Sequence, residues 1–298
     1  MIYKQLGTSS LRISEIGFGC MSLAGNDKEN SIIIHAAIES GINFFDTADL
    51  YNKGMNESSV GNAIKGKREK IVLATKVGNQ WKPDGSGWYW NPKKQYILAS
   101  VEESLKRLQT DHIDLYQLHG GTIDDPIDET IEAFELLRQQ GKILEYGISS
   151  IRPNVIREYV NRSHIVSVMM QYSMLDRRPE ESCLDLLHSN NISVLARGGL
   201  AQGLLVNKSP NDYLNYKKEE VKKAAGVIKS FSSKKRTAAQ TAIRFVLHHP
   251  AIFSAVIGVR TIKQLKEIVG TGSAPELTDE EINQLRNAVP VNVYEEHR

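Results

Sequence analysis

The chain has 298 residues, of which 41% are hydrophobic and 24% charged, and its 37 basic and 35 acidic side chains leave a formal net charge of +2. That is ample apolar material for a large core, which excludes a wholly disordered chain, and the charge balance makes no electrostatic case for nucleic acid or an anionic membrane. Two cysteines, Cys20 and Cys183, are too few for a disulfide framework or a thiolate metal site, and neither a secretory apolar segment nor a run of ~20 apolar residues is present, so the chain reads as soluble and cytoplasmic.

Residues 3–6 and 11–13, around Gly7-Thr8-Ser9, read as a small hairpin. After it, short apolar runs alternate with amphipathic stretches. The run 16–19 precedes a helical pattern over 30–40, closed by Gly41, and 43–46 precedes 57–64. Run 71–76 precedes 93–108, where Ile97, Val101, Leu105 and Leu108 share one face. Run 113–119 precedes 128–140, where Ile131, Phe134 and Leu137 do so. Runs 143–149 and 165–171 precede helical patterns over 154–161 and 179–190. Run 192–196 precedes two helical stretches, near 219–231 and 236–248, and 253–257 precedes 261–269; a last helix is expected over 278–288.

The strands are continuous apolar runs, as when both faces of a sheet are covered, and parallel strands need helical crossovers. Eight such units predict an α/β fold, a (β/α)8 TIM barrel with an N-terminal hairpin and an extra C-terminal helix, forming one domain over 1–298. Segments 77–92 and 197 to about 216 are too long for simple connectors. Both follow strand C-termini, the face where such barrels build their sites.

Two phosphate-loop likenesses fail. Gly17-Phe18-Gly19-Cys20-Met21-Ser22 has Ser at the third glycine of a dinucleotide fingerprint. Gly61 to Lys67 has P-loop spacing, but Arg68 stands where a magnesium-binding hydroxyl is needed, and Gly66 reads as a helix C-cap. The eight histidines make no metal-ligand pattern, so no metal is expected, and His248 reads as a helix-end residue. No Gly-x-Ser-x-Gly elbow is present.

The informative set is Asp46, Tyr51, Lys76 and His119. On the strand reading, three neighbouring strands deliver all four to one rim. Singly each has a plain explanation: a cap, a solvated lysine, a core histidine. Together they suit carbonyl reduction, which needs a hydride donor and a proton donor. A phenol is a poor acid near neutrality, a neighbouring ammonium lowers its pKa, a carboxylate holds that ammonium in place, and a histidine can hydrogen-bond the carbonyl oxygen.

Residues 41–51, Gly-Ile-Asn-Phe-Phe-Asp-Thr-Ala-Asp-Leu-Tyr, with 56–61, Asn-Glu-Ser-Ser-Val-Gly, closely resemble the signature of the aldo-keto reductase superfamily. Ala74-Thr75-Lys76 resembles its lysine strand, 114–119 its histidine strand, and Gly147-Ile148-Ser149 the next one. The resemblance spans essentially the whole chain. It implies a metal-free (β/α)8 barrel that binds extended NADPH without a Rossmann domain. It makes Tyr51 the general acid, tuned by Lys76 and Asp46, with His119 orienting the carbonyl. By the same resemblance Ser149 and Gln171 hold the nicotinamide carboxamide, followed by Tyr172 and Ser173, and Gly19 and Met21 join the cofactor set. Gly199, Leu200 and Gly203 belong to the pyrophosphate wrap, with Gly199 in place of the usual Pro; Arg197 just before adds a phosphate contact. Gly258, Arg260, Gln264 and Glu267 resemble the adenosine 2′-phosphate site, where Ile268 replaces the usual Asn.

All three tryptophans, Trp81, Trp88 and Trp90, fall in one loop, which reads equally as a self-packed aromatic cluster or, for Trp81, as a substrate wall favouring apolar carbonyl compounds. The expected partner is therefore a small-molecule carbonyl substrate. A second reading is a nucleotide-sensing binding subunit of the same fold, as in the regulatory subunits of potassium channels; the full tetrad argues against it.

Overall fold

The computed structural model describes residues 1–298. Eight strands close into a barrel: Ile16–Gly19, Phe44–Asp46, Val72–Val77, Ile113–Leu118, Ile143–Ser149, Ser167–Gln171, Ser193–Arg197 and Ile252–Gly258. All pairings are parallel and join strands consecutive in the chain, and the last closes on the first with Gly258 opposite Gly19. The crossovers carry helices Asp27–Glu39, Met55–Ile64, Lys94–Leu108, Ile127–Gln139, Pro153–Arg162, Cys183–Ser189, then Lys218–Ser230 with Ala238–Leu247. Ile262–Val269 and Asp279–Arg286 follow the last strand. The fold is the (β/α)8 barrel that the strand–helix alternation predicts.

Period-two alternation sorts the strand residues into two cores. Outward residues such as Phe45, Leu73, Tyr116 and Tyr146 join the helices in a cluster of 67 buried residues. Inward ones, Phe44, Val72, Ala74, Leu115, Met169, Leu195 and Val256, form a separate cluster of 10 with Leu6, Ile13 and Val166, the last lying just before the sixth strand. Helix-on-sheet packing therefore supplies most of the apolar burial, at ~1.5–3 kcal/mol per large side chain. Leu6 and Ile13 flank and line the hairpin Tyr3–Gln5/Arg12–Ser14, which thus stoppers the N-terminal end of the barrel. Gly7 N–H donates to Ser193 Oγ at 2.7 Å and fastens it.

Local chemistry sets the helix boundaries. Asn26 and Glu29 form a capping box, so the first helix starts at Asp27 rather than at 30. Thr237 with Gln240 and Thr278 with Glu281 do the same for two others. The Gly61 to Lys67 segment owes one glycine to packing and the other to backbone conformation. A Cβ on Gly61 would meet the Arg107 carbonyl at 2.5 Å, and Gly66 has φ +72° just past the helix end. The single helix expected over 179–190 is instead a 3-10 turn, Arg178–Glu181, and the helix Cys183–Ser189, broken at Ser182. There Arg178 is tied to Asp176 and Glu180 to Arg177. The long segment after the third strand is a hairpin, Asn79–Trp81 paired with Trp88–Trp90.

Candidate active site

Continuing the inward parity past the apolar layer gives Gly19, Asp46, Lys76, Gln117, Ser149, Gln171, Arg197 and Gly258, with Gly19 opposite Asp46 and Gly258, Lys76 opposite Gln117, and Gln171 opposite Arg197. These line the C-terminal mouth of the barrel. Lys76 is 0% exposed, and its Nζ lies 2.7 Å from Asp46 Oδ2, 2.7 Å from the Thr47 carbonyl and 3.4 Å from Tyr51 Oη. Burial disfavours the ammonium, but Asp46 and then Tyr51 outweigh it and hold the Lys76 pKa above its ordinary value. Burial pushes the Asp46 carboxyl up against the opposing pull of Lys76, Gln117 and Arg197. The proton of the pair sits on nitrogen.

Tyr51 is held by a strained turn. Asn52 (φ 51°) and Lys53 (φ 54°) are left-handed, and Gly54 follows at φ 83°. Two consecutive non-glycine residues in this region cost about 1–3 kcal/mol each and persist only when neighbours impose them. Those neighbours are visible. Trp81 Nε1–H donates to the Leu50 carbonyl at 3.3 Å, Lys53 Nζ donates to the Gly85 carbonyl at 3.3 Å, and that ammonium lies 5.1 Å from the Trp81 ring. Below the turn, Thr47 Oγ1 donates to Asn56 Oδ1 at 2.6 Å and Asn56 Nδ2 donates to the Cys20 carbonyl at 2.9 Å.

His119 follows the fourth strand, and its N–H donates to the Val77 carbonyl at 2.7 Å. Its ring stands edge-on to Tyr51, centroids 5.7 Å apart at 84°. Burial first, then Lys76 and Arg197, lower its pKa to about 3, so the imidazole is uncharged at neutral pH. Its Nδ1 is enclosed without a hydrogen-bond partner.

Around the mouth, Gln171 Oε1 accepts from Arg197 at 3.1 Å while its Nε2 donates to Tyr213 Oη at 3.0 Å. Ser149 is buried beside them. Met21 is 67% exposed at the rim. Gly199, Leu200 and Gly203 lie in the loop after the seventh strand, with Gly198 and Gly203 at positive φ. Gly258, Arg260 and Gln264 are exposed at the start of helix Ile262–Val269; Arg260 N–H donates to Gln264 Oε1 at 2.9 Å. Glu267 is half-buried one turn on, its carbonyl bonded by Gln240. The structure does not bring Tyr172 and Ser173 to the mouth. The inward turn of Gln171 sends Tyr172 outward, 1% exposed, onto Phe245, with its hydroxyl donating to Glu180 at 2.7 Å. Ser173 is enclosed and accepts from Leu175 N–H.

The tryptophans divide. Trp81 braces the Tyr51 turn, Trp90 packs on Gly78 and Gly120 and donates to Asp125 Oδ1 at 2.8 Å, and Trp88 is 51% exposed. Gln117, whose Nε2 donates to Asp46 Oδ1 at 3.3 Å, escaped the motif reading. Its signal was its parity with Leu115 and His119.

A rim that presents a phenol to an enclosed ammonium, on the face where (β/α)8 barrels build their sites, is suited to moving a proton at a carbonyl oxygen. The profile of the aldo/keto reductase family matches residues 15–290, and the chain belongs to that family, whose chemistry is oxidoreduction at carbonyl groups. It is 50% identical to the uncharacterized oxidoreductase YqkF of Bacillus subtilis (strain 168), with 99% of each chain covered. It is 31% identical to the aldo-keto reductase YhdN of the same organism, covering 91% of this chain and 89% of that one. Among solved structures it resembles the holo form of aldo-keto reductase AKR11C1 from Bacillus halodurans, with TM-score 0.94, 50% identity and coverage of 100% of this chain and 99% of that one.

Proposed function

We propose that the chain reduces aldehydes or ketones to alcohols with NADPH, and that Tyr51 is the proton donor. The observation that carries this reading is the 3.4 Å approach of the enclosed Lys76 ammonium to Tyr51 Oη. The residues present fit a nicotinamide dinucleotide. An amide and a hydroxyl, Gln171 and Ser149, face into the mouth, while Arg260 and Lys263 are exposed beside the first turn of helix Ile262–Val269, a favourable place for a phosphate. When bound, the dinucleotide supplies the hydride.

The chain's own residues do the rest. Lys76, kept charged by Asp46, places its ammonium against Tyr51 Oη, where it can stabilise the oxyanion left when the phenol hands its proton to the carbonyl oxygen. An uncharged His119 offers a hydrogen bond to the carbonyl oxygen without competing for the proton. Trp81 walls the substrate side and favours apolar compounds. Gly199, Leu200 and Gly203 take the pyrophosphate, and Arg197, which donates to Gln171 at 3.1 Å, adds a phosphate contact between them and the nicotinamide end. We read residues 1–298 as one domain acting in the cytoplasm; no helix is long and apolar enough to cross a membrane.

The test is NADPH consumption with a panel of aldehydes and ketones. Tyr51→Phe is expected to lower turnover by roughly 10²–10⁴-fold, the range for loss of a general acid, while NADPH binding is retained. Undiminished turnover removes Tyr51 from the mechanism, and binding without turnover by the wild type points to the nucleotide-sensing reading.

A further inference from the structure

Behind the mouth, outside the third and fourth barrel strands, lies a second polar group that the reaction does not use. Glu57 of helix Met55–Ile64 is enclosed; it accepts from Thr75 Oγ1 at 2.6 Å and from Arg107 Nε, of helix Lys94–Leu108, at 2.7 Å. Arg107 therefore neutralises Glu57, as Lys76 neutralises Asp46. Asp49 is a third enclosed carboxyl in the same region, 9% exposed, and no cation is left for it. Its Oδ1 has no hydrogen-bond partner, and neither has Tyr116 Oη of the fourth strand.

Asp49 lies in the turn that ends at Tyr51. Thr47 N–H donates to the Ala74 carbonyl at 2.9 Å and Asp49 N–H to the Lys76 carbonyl at 3.3 Å. The second of these ties seats the turn on the third strand two residues before the phenol. An unpaired carboxylate enclosed beside another carboxylate is strongly unfavourable, and the relief open to it is either a proton or movement toward water.

We propose that Asp49 is a positioning residue for Tyr51: as a neutral acid it keeps the turn seated against the third strand, and a negative charge on it unseats the turn. This rests on reading Tyr51 as the proton donor. Burial and then Glu57 push the Asp49 carboxyl up to about 8, against Arg107, the Leu50 N–H and Lys76. From helix Lys94–Leu108 the phenol of Tyr96 also faces it, and from the fourth strand that of Tyr116; both are raised by burial first and by Asp49 next. Neither phenol can supply a counter-charge.

Tryptophan emission reads the turn directly, because Trp81 Nε1–H is bonded to the Leu50 carbonyl, between Asp49 and Tyr51. In full-length Tyr51→Phe protein, which lacks the ionisation of that phenol, emission is expected to titrate with a midpoint near pH 8. Adding Asp49→Asn, or Asp49→Ser as a second uncharged variant, is expected to abolish the transition. With Tyr51 present, wild-type kcat should fall about tenfold per pH unit above that midpoint, and Asp49→Asn should move the onset of the fall to higher pH. A titration that survives both substitutions overturns the proposal. Failure of the wild type to reduce any carbonyl compound would overturn the reductase reading instead, and the emission titration would still judge Asp49.

Discussion

Lys76 and Asp46 form an ion pair, 2.7 Å from nitrogen to oxygen, at a depth where neither side chain meets bulk water. Each is tolerable there only because of the other. Lys76→Met leaves the Asp46 carboxyl enclosed and unpaired, and should cost about 3–5 kcal/mol of stability, the range for breaking a buried pair. Lys76→Met combined with Asp46→Asn should recover most of that loss in urea unfolding, yet recover none of the turnover. Full stability in the single variant would mean that the pair is solvated.

In the proposed function Arg260 is the residue that would meet the 2′-phosphate distinguishing NADPH from NADH. It is exposed, one residue before Thr261, whose Oγ1 caps helix Ile262–Val269 by accepting from Gln264 N–H. A charge-assisted bond of this kind is worth roughly 1.5–3 kcal/mol, or about 10- to 100-fold in affinity. Arg260→Ala should weaken NADPH by that factor and leave NADH almost untouched, as measured by titrating tryptophan emission with each. Equal losses for both would reduce Arg260 to a solvated side chain.

His119 imprints a pH dependence on stability. Its folded-state pKa is lowered to about 3, by burial and then by Lys76 and Arg197. As pH falls through ~6.5 the unfolded chain takes up a proton at this position that the folded chain refuses until about pH 3. The unfolded state binds more protons across that window, so stability falls as pH falls within it. His119→Asn should flatten this acid-side slope relative to wild type in urea unfolding at pH 7, 6 and 5. Parallel slopes would mean that the ring is hydrated.

The barrel and the tetrad were legible because both rest on patterns local to the chain. Apolar runs such as 71–76 announce a strand covered on both faces, and the residue types Asp46, Tyr51, Lys76 and His119 announce chemistry at strand ends. What was not legible depends on side-chain direction and on how charges are shared. Tyr172 follows Gln171 in sequence but faces the opposite way, into Phe245. Gln117 is hidden among apolar neighbours until the strand is given its parity. The hairpin Asn79–Trp81/Trp88–Trp90 is masked by the Gly, Pro and Asp at its turn. Asp49 looks like one more loop carboxylate until Arg107 and Lys76 are seen to be taken by Glu57 and Asp46.

The stoppered N-terminal end has a kinetic corollary. With Leu6 and Ile13 filling the floor of the barrel, everything that reaches Lys76 must enter and leave by one doorway. If the dinucleotide lies from Gln171 to Arg260, as proposed, it spans much of the threshold, and a carbonyl compound reaching Tyr51 must come in over it. On that reading the single entrance imposes an order that product-inhibition kinetics would check: the dinucleotide is expected to bind first and leave last.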